Sequence, residues 1–167
     1  MKAVALILHF ILVADISLLA MPPKSRPSAG LQKLQSLAGD WTGKDERGNP
    51  VRTSFKSIAG ETAVMETLAM SGMEEMVTIY SQDGDGIVLL HYCPTNNQPR
   101  MRATSPAGDV RELVFAFEGA GNLADLAEGH EHKLAIQFQD KDHITEHWTW
   151  RQSGKDREMV YHFARKK

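Results

Sequence analysis

Ten short runs in this sequence alternate apolar and polar residues with a period of two, and turn-forming residues separate most of them. The runs fall at 40–45, 51–58, 62–69, 74–81, 86–93, 100–104, 110–117, 133–139, 143–151 and 158–165. Between them lie Gly48-Asn49-Pro50, Ala59-Gly60, Ser71-Gly72, Asp83-Gly84-Asp85-Gly86, Pro94 to Asn97, Pro106-Ala107-Gly108, Asp140-Lys141-Asp142 and Ser153-Gly154-Lys155. Period two places one face of each strand inward, and hairpin-length connections make neighbours antiparallel. A meander of this size removes its exposed edges by closing on itself. The expected fold is therefore all-β, an antiparallel up-and-down barrel of about ten strands. No long helical segment competes, which excludes an α/β arrangement. Leu31, Leu34 and Leu37 recur at helical spacing before Gly39, so a short N-terminal helix is expected ahead of the barrel. The longest gap, 119–129, is expected to hold one helical turn at 123–127.

The amino end reads differently. Lys2 precedes an almost wholly apolar stretch to Ala14, and residues 16–20 are again mostly apolar. This is the pattern of a secretory signal peptide over 1–20. Residues 21–30 hold PPKSRPSAG and are expected to be a flexible linker. The barrel domain is then 31–167, and the protein periplasmic or secreted, with no membrane association after cleavage. Asp15 and His9 interrupt the run, so two alternatives stand: an uncleaved anchor, or translation from Met21 and a cytoplasmic protein.

The chain has 167 residues, 42% of them hydrophobic, and a formal net charge of -2. That balance gives no general basis for nucleic-acid binding. The single cysteine, Cys93, excludes an internal disulfide and any cysteine-cluster metal site.

Alternation assigns the faces. Leu134, Ile136 and Phe138 are expected inward, with His130 and His132 on the same parity and Glu131 opposite. Ile144, Glu146, Trp148 and Trp150 share the next inward face. His91 falls with Ile87 and Leu89, and Phe115 and Phe117 complete an aromatic wall. Two imidazoles on one strand face, about 7 Å apart along the backbone, with Glu146 or His91 nearby, make a candidate divalent-metal site, since zinc accepts histidine and carboxylate. The alternative is a hydrogen-bonded polar cluster near the barrel mouth. Arg100 and Arg102 share a face and suit either an anionic ligand headgroup or an internal ion pair with Glu66 or Glu146. His91 and Cys93 share a strand face, which a thiol nucleophile would need; a lone cysteine otherwise packs as a small hydrophobe. Asp83-Gly84-Asp85-Gly86 lacks the further ligands of a calcium loop and is a hairpin turn. Glu74 and Glu75 point to opposite faces and cannot pair as acid and base. No serine elbow, phosphate-binding glycine loop or H-E-x-x-H is present, and no residue is assigned a catalytic role.

Gly39-Asp40-Trp41-Thr42-Gly43 resembles the G-x-W-x-G opening of lipocalin-like (calycin) barrels. The resemblance implies that Trp41 closes one barrel end and that a basic residue of the last strand, here Arg165, packs on it. With 37–43 (LAGDWTG), 74–80 (EEMVTIY), 91–93 with 97–101 (NQPRM), 129–132 (GHEH) and 143–150 (HITEHWTW), the chain from 31 to 167 is similar to a family of uncharacterised bacterial lipocalin-like barrels, usually made with a signal peptide. Members tend to carry Met where Glu131 stands. Haem-binding barrels of the nitrobindin type share the opening motif and carry one axial histidine near the carboxyl end. His162 matches that position, although its parity, like that of His147, points outward.

The residues and the resemblance together favour binding of a small hydrophobic or amphipathic molecule inside the barrel. Leu134, Ile136, Phe138, Trp148, Trp150, Phe115 and Phe117 would form the wall, and His91, Arg102, His130, His132 and Glu146 the polar contacts. Two other readings remain: a metal- or haem-dependent activity using His130, His132 and neighbours, or a structural or interaction barrel with a filled core.

Overall fold

The alternating runs form ten strands: β1 Gly39–Lys44, β2 Pro50–Ile58, β3 Ala63–Met70, β4 Met76–Asp83, β5 Gly86–Tyr92, β6 Gln98–Thr104, β7 Glu112–Gly121, β8 His130–Phe138, β9 His143–Gln152 and β10 Lys155–Arg165. Each pairs antiparallel with the next, and β1 pairs with β10 from Trp41–Arg165 to Lys44–His162, which closes the barrel. The computed structural model describes residues 26–167. The expected signal peptide and the first part of the expected linker lie outside the described residues. No helix among those described is long and apolar enough to cross a membrane.

One helix, α1 (Ala29–Gln35), covers one end of the barrel. Ser28 caps it by accepting from the Leu31 N–H, which satisfies one of the free donors of the first turn. Leu31, Leu34 and Leu37 are buried beneath the helix and the turn that follows. The Ser28 N–H donates to Gln82 and the Gly30 N–H to Ser105, so α1 is fastened to the end of β4 and to the β6–β7 connection. Residues 28–30, expected as linker, therefore belong to the helix and its cap. The helical turn expected at 123–127 is absent; turns and bends fill that gap.

Trp41 is 1% exposed and its indole N–H donates to the Leu37 carbonyl at 2.8 Å. The Arg165 guanidinium lies over its ring, 4.2 Å from the centroid. The same guanidinium donates to the carbonyls of Ser36, Ala38 and Lys141, tying the last strand to α1 and to the β8–β9 turn. Both glycines of the opening motif have a structural reason. Gly39 has φ +122°, and a Cβ at Gly43 would sit 2.2 Å from the His162 carbonyl oxygen, so β1 and β10 could not close there. Arg165→Ala removes the ring contact and the hydrogen bonds to four carbonyls, those of Ser36, Leu37, Ala38 and Lys141. It is expected to cost about 2 kcal/mol, read as a fall of about 5 °C in Tm.

The centre of the barrel is packed. Leu89, Met101, Leu113, Phe115, Leu134, Ile136 and Ile144 are each at most 1% exposed. The wall expected around a central ligand is thus mostly closed core: side chains of a ten-stranded barrel can fill its interior.

Candidate ligand site at the barrel mouth

Alternation puts Glu66 of β3 and Glu146 of β9 inside, between apolar neighbours, and both are sealed at 1% and 0% exposure. Their carboxyl groups meet across the interior. Tyr80 donates to Glu66 Oε2 at 2.6 Å and Thr53 to Oε1 at 2.8 Å, while the Trp148 indole donates to Glu146 Oε2 at 3.0 Å. Burial raises both carboxyls above the ordinary range, Glu146 the more strongly because the charge of Glu66 adds to it. Glu66 already accepts from two hydroxyls and Glu146 from one indole N–H, so these hydrogen bonds favour the negative charge on Glu66 and the shared proton on Glu146. Its Oε1 has no hydrogen-bond partner of its own, which leaves that oxygen to carry the proton shared with Glu66. His91 continues this network: its ring lies 4.7 Å from that of Trp148 and its Nδ1 bonds with the Thr78 hydroxyl at 2.8 Å. Burial lowers its pKa to about 4, so it is neutral, and its Nε2 has no partner. His91, Glu146 and Trp148 are thus inside, as the alternation implies, but as parts of a sealed polar layer.

The mouth opposite α1 differs from expectation because of one bulge. The β8–β9 register slips between Glu131 and Lys133, so His132 is an extra residue and the parity upstream is exchanged. Glu131 pairs with Trp150 on the inner side, and His130 pairs with Arg151. The two histidines are thereby separated from the inner face that holds Glu146 and His91. Pairing of β7 with β8 ends at Ala116–Lys133, and beyond it Phe117 packs on both imidazoles, 4.7 and 5.0 Å between centroids. Arg151 Nη1 donates to His132 Nε2 at 2.7 Å. The His132 Nδ1–H then donates to His130 Nε2 at 3.2 Å, and the His130 Nδ1–H to the Glu128 carbonyl at 2.8 Å. This order assigns both tautomers and uses all four ring nitrogens. Desolvation first, then Arg151 and His130, hold His132 below the usual histidine range. The pair is a neutral relay that anchors the β7–β8 loop, with no lone pair left for a metal. Among the described residues no group of three or more His, Cys, Asp or Glu side chains is arranged to hold one.

Arg102 is likewise corrected. It lies on the outer face, paired with Asp83 and Glu118, and Arg100 joins the same two carboxylates. Glu66 and Glu146 are not its partners, and it contributes nothing to the interior. Its exposed ion pairs contribute little to stability. His162 and His147 are also on the outer side, bonded to Thr145 and Glu158, and neither fits as an axial haem ligand. The Cys93 thiol bonds with Thr95 at 2.7 Å rather than with His91.

The exchanged parity exposes the functional candidate. A half-open cavity of about 550 Å³ occupies the mouth. Its apolar lining comes from Leu68, Met70, Met73, Met76, Met159, Trp150 and Tyr161, with Cys93 beside them. Glu131 lines it at 8% exposure, with Oε2 sealed and unpartnered. Burial raises the Glu131 carboxyl to about 7, against a smaller opposing pull from Arg157. Burial also pushes the Tyr161 phenol up to about 12, with Glu131 the next largest cause. Gly129 leaves the space that the Trp150 ring occupies: a Cβ there would fall 2.1 Å from the ring. None of His91, Arg102, His130, His132, Glu146 or Trp148 lines this cavity. The sequence signal for it was the methionine spacing at 70, 73 and 76 across one hairpin, together with the charged residue at 131.

No protein-family model and no curated protein sequence matches the chain. Among solved structures, the crystal structure of Rv2717c from M. tuberculosis has a TM-score of 0.61 at 13% identity, covering 85% of this chain and 100% of that one. That likeness is one of fold, and the fold of this chain is the closed antiparallel barrel described above. A structure of EF1p2_mFAP2b bound to DFHBI covers 81% of this chain and 98% of that one, with a TM-score of 0.39 and 9% identity.

Proposed function

We propose that this protein binds one small apolar or amphipathic molecule in the mouth of its barrel, as an exported lipocalin-like protein of the bacterial type its motifs resemble. The observation that carries the reading is the mouth cavity itself. Its volume of about 550 Å³ lies in the range of small-molecule sites, and flexible thioethers line it beside two aromatic rings. A ligand burying about 200 Å² of apolar surface there gains about 5 kcal/mol from desolvation. The export part rests on the apolar run after Lys2.

The test is titration with the neutral fluorophore N-phenylnaphthylamine. Saturable enhancement is expected for the wild type and its loss for Met70→Trp, which fills the cavity. Equal enhancement in the two proteins would place the probe elsewhere and sink the proposal. The packed centre favours a second reading, a barrel with a structural or interaction role; under it neither protein saturates.

A further inference from the structure

We propose that the mouth selects organic cations: a ligand with an ammonium head on an apolar or aromatic body binds with that head on the carboxylate of Glu131. This rests on the reading of the mouth as a ligand site and adds the chemistry of its occupant.

The missing partner is the main observation. Among the described residues no hydrogen bond or ion pair reaches the Glu131 carboxyl, although it is nine-tenths buried and lines a cavity. Buried carboxylates in folded proteins are paired, so an unpaired one facing a pocket marks a place where a donor from outside completes the site. Arg157 is not that donor. It is exposed, and its guanidinium contact is with the Met159 sulfur at 3.7 Å.

The charges around the cavity point the same way. The β1–β2 turn contributes Asp45, Glu46 and Arg47, β8 contributes Glu131, and β10 contributes Arg157 and Glu158. Four acids face two bases, a surplus that favours a cation over a carboxylate. The lining from β3 and β4 is uncharged. Trp150 and Tyr161 line the same cavity as Glu131, and aromatic rings attract an ammonium. A carboxylate-bearing ligand would bring a second negative charge into the apolar floor.

The same geometry predicts how binding depends on pH. Glu131 changes charge near pH 7, while Tyr161 remains protonated and Asp45, held down first by its bond from Asn49, remains ionised. Glu158, on the cavity rim, bonds with His147 of β9 at 3.2 Å. Glu46 also lines the rim, and Cys93 is removed in a Cys93→Ala control.

The experiment is calorimetric titration of the full chain with three probes that share one body: phenylbutylamine, phenylbutanol and phenylbutyrate. At about pH 8 the amine is expected to bind at least about tenfold more tightly than the alcohol, and the butyrate more weakly than either. The advantage shrinks at about pH 5, where Glu131 is protonated. In Glu131→Gln it falls to within about threefold at both pH values, and in Cys93→Ala it persists. A second readout keeps the test independent of the variant's folding. In the wild type, the Glu131 carboxyl NMR titration is expected to move to lower pH when phenylbutylamine saturates the site. If the alcohol or the butyrate binds as tightly as the amine, cation selection is overturned while the pocket reading stands. If no probe binds saturably, both are overturned.

Discussion

Glu66→Leu is expected to destabilise the protein by on the order of 3 kcal/mol, whereas Glu146→Gln changes stability by less than about 1 kcal/mol. The two carboxyls touch and are equally buried, so burial alone would make the substitutions alike. Their hydrogen-bond roles differ. Glu66 accepts from Tyr80, from Thr53 and from the proton on Glu146. A leucine leaves three sealed donors without an acceptor, which outweighs the relief of removing a buried charge. Glu146 is the protonated member, accepting from the Trp148 indole through one oxygen and donating through the other. A glutamine reproduces both roles: its N–H replaces the acid O–H and its carbonyl still accepts from Trp148. Urea denaturation of the two variants measures the difference. Equal losses, or a larger loss for Glu146→Gln, would mean that the proton sits on the other carboxyl.

Glu131→Met is expected to stabilise the protein at high pH and to leave it nearly unchanged at low pH. The ordinary glutamate value is 4.5 and burial raises this one to about 7. Below the lower value both folded and unfolded chains carry the proton, and the carboxyl imposes no ionisation penalty. Between the two values the unfolded chain releases its proton while the folded chain holds it, so stability falls as pH rises. Above the folded value the loss is complete, on the order of 3 kcal/mol for a shift of this size. The variant lacks the titrating group and escapes that loss. Denaturation midpoints at about pH 5 and pH 8 test this. A constant difference between the two proteins would show that Glu131 ionises as freely in the fold as in the unfolded chain.

Much of the architecture was legible because it depends on local pattern. Period two located all ten strands, and the turn residues set their hairpins. The leucine spacing placed α1, and the G-x-W-x-G opening with Arg165 described how the end beside it is closed. Parity also placed His91, Glu146 and Trp148 inside. Glu66 carried the same signal, lying between Val64 and Leu68 on an inward parity. That it meets Glu146 depends on the barrel's diameter and on side-chain reach, which no local pattern contains. The largest misreading came from one residue. A bulge shifts the parity of everything upstream of it, and nothing in His130-Glu131-His132-Lys133 marks its position. It turned Glu131 from the outer face to the pocket and left the histidines to each other and to Arg151. Arg102 was misplaced for a different reason. Met101 and Ala103 alternate with Arg100 and Arg102 and are the buried face, so the parity itself puts both arginines outside, against the expectation of an interior contact. Alternation also says which residues face inward but not whether they leave a void. The packed centre and the open mouth are differences of summed volume.

The central claim is that a ligand occupies the mouth and leaves the barrel centre undisturbed. Methyl NMR of methionine-labelled protein, titrated with phenylbutanol, tests it directly because the methionines sample both places. Met70, Met73, Met76 and Met159 line the mouth, while Met101 is fully buried in the core. Saturable shifts confined to the four mouth methyls, with Met101 unmoved, are the predicted result. A saturable shift of Met101 comparable to theirs, or no saturable shift at the mouth, would contradict it.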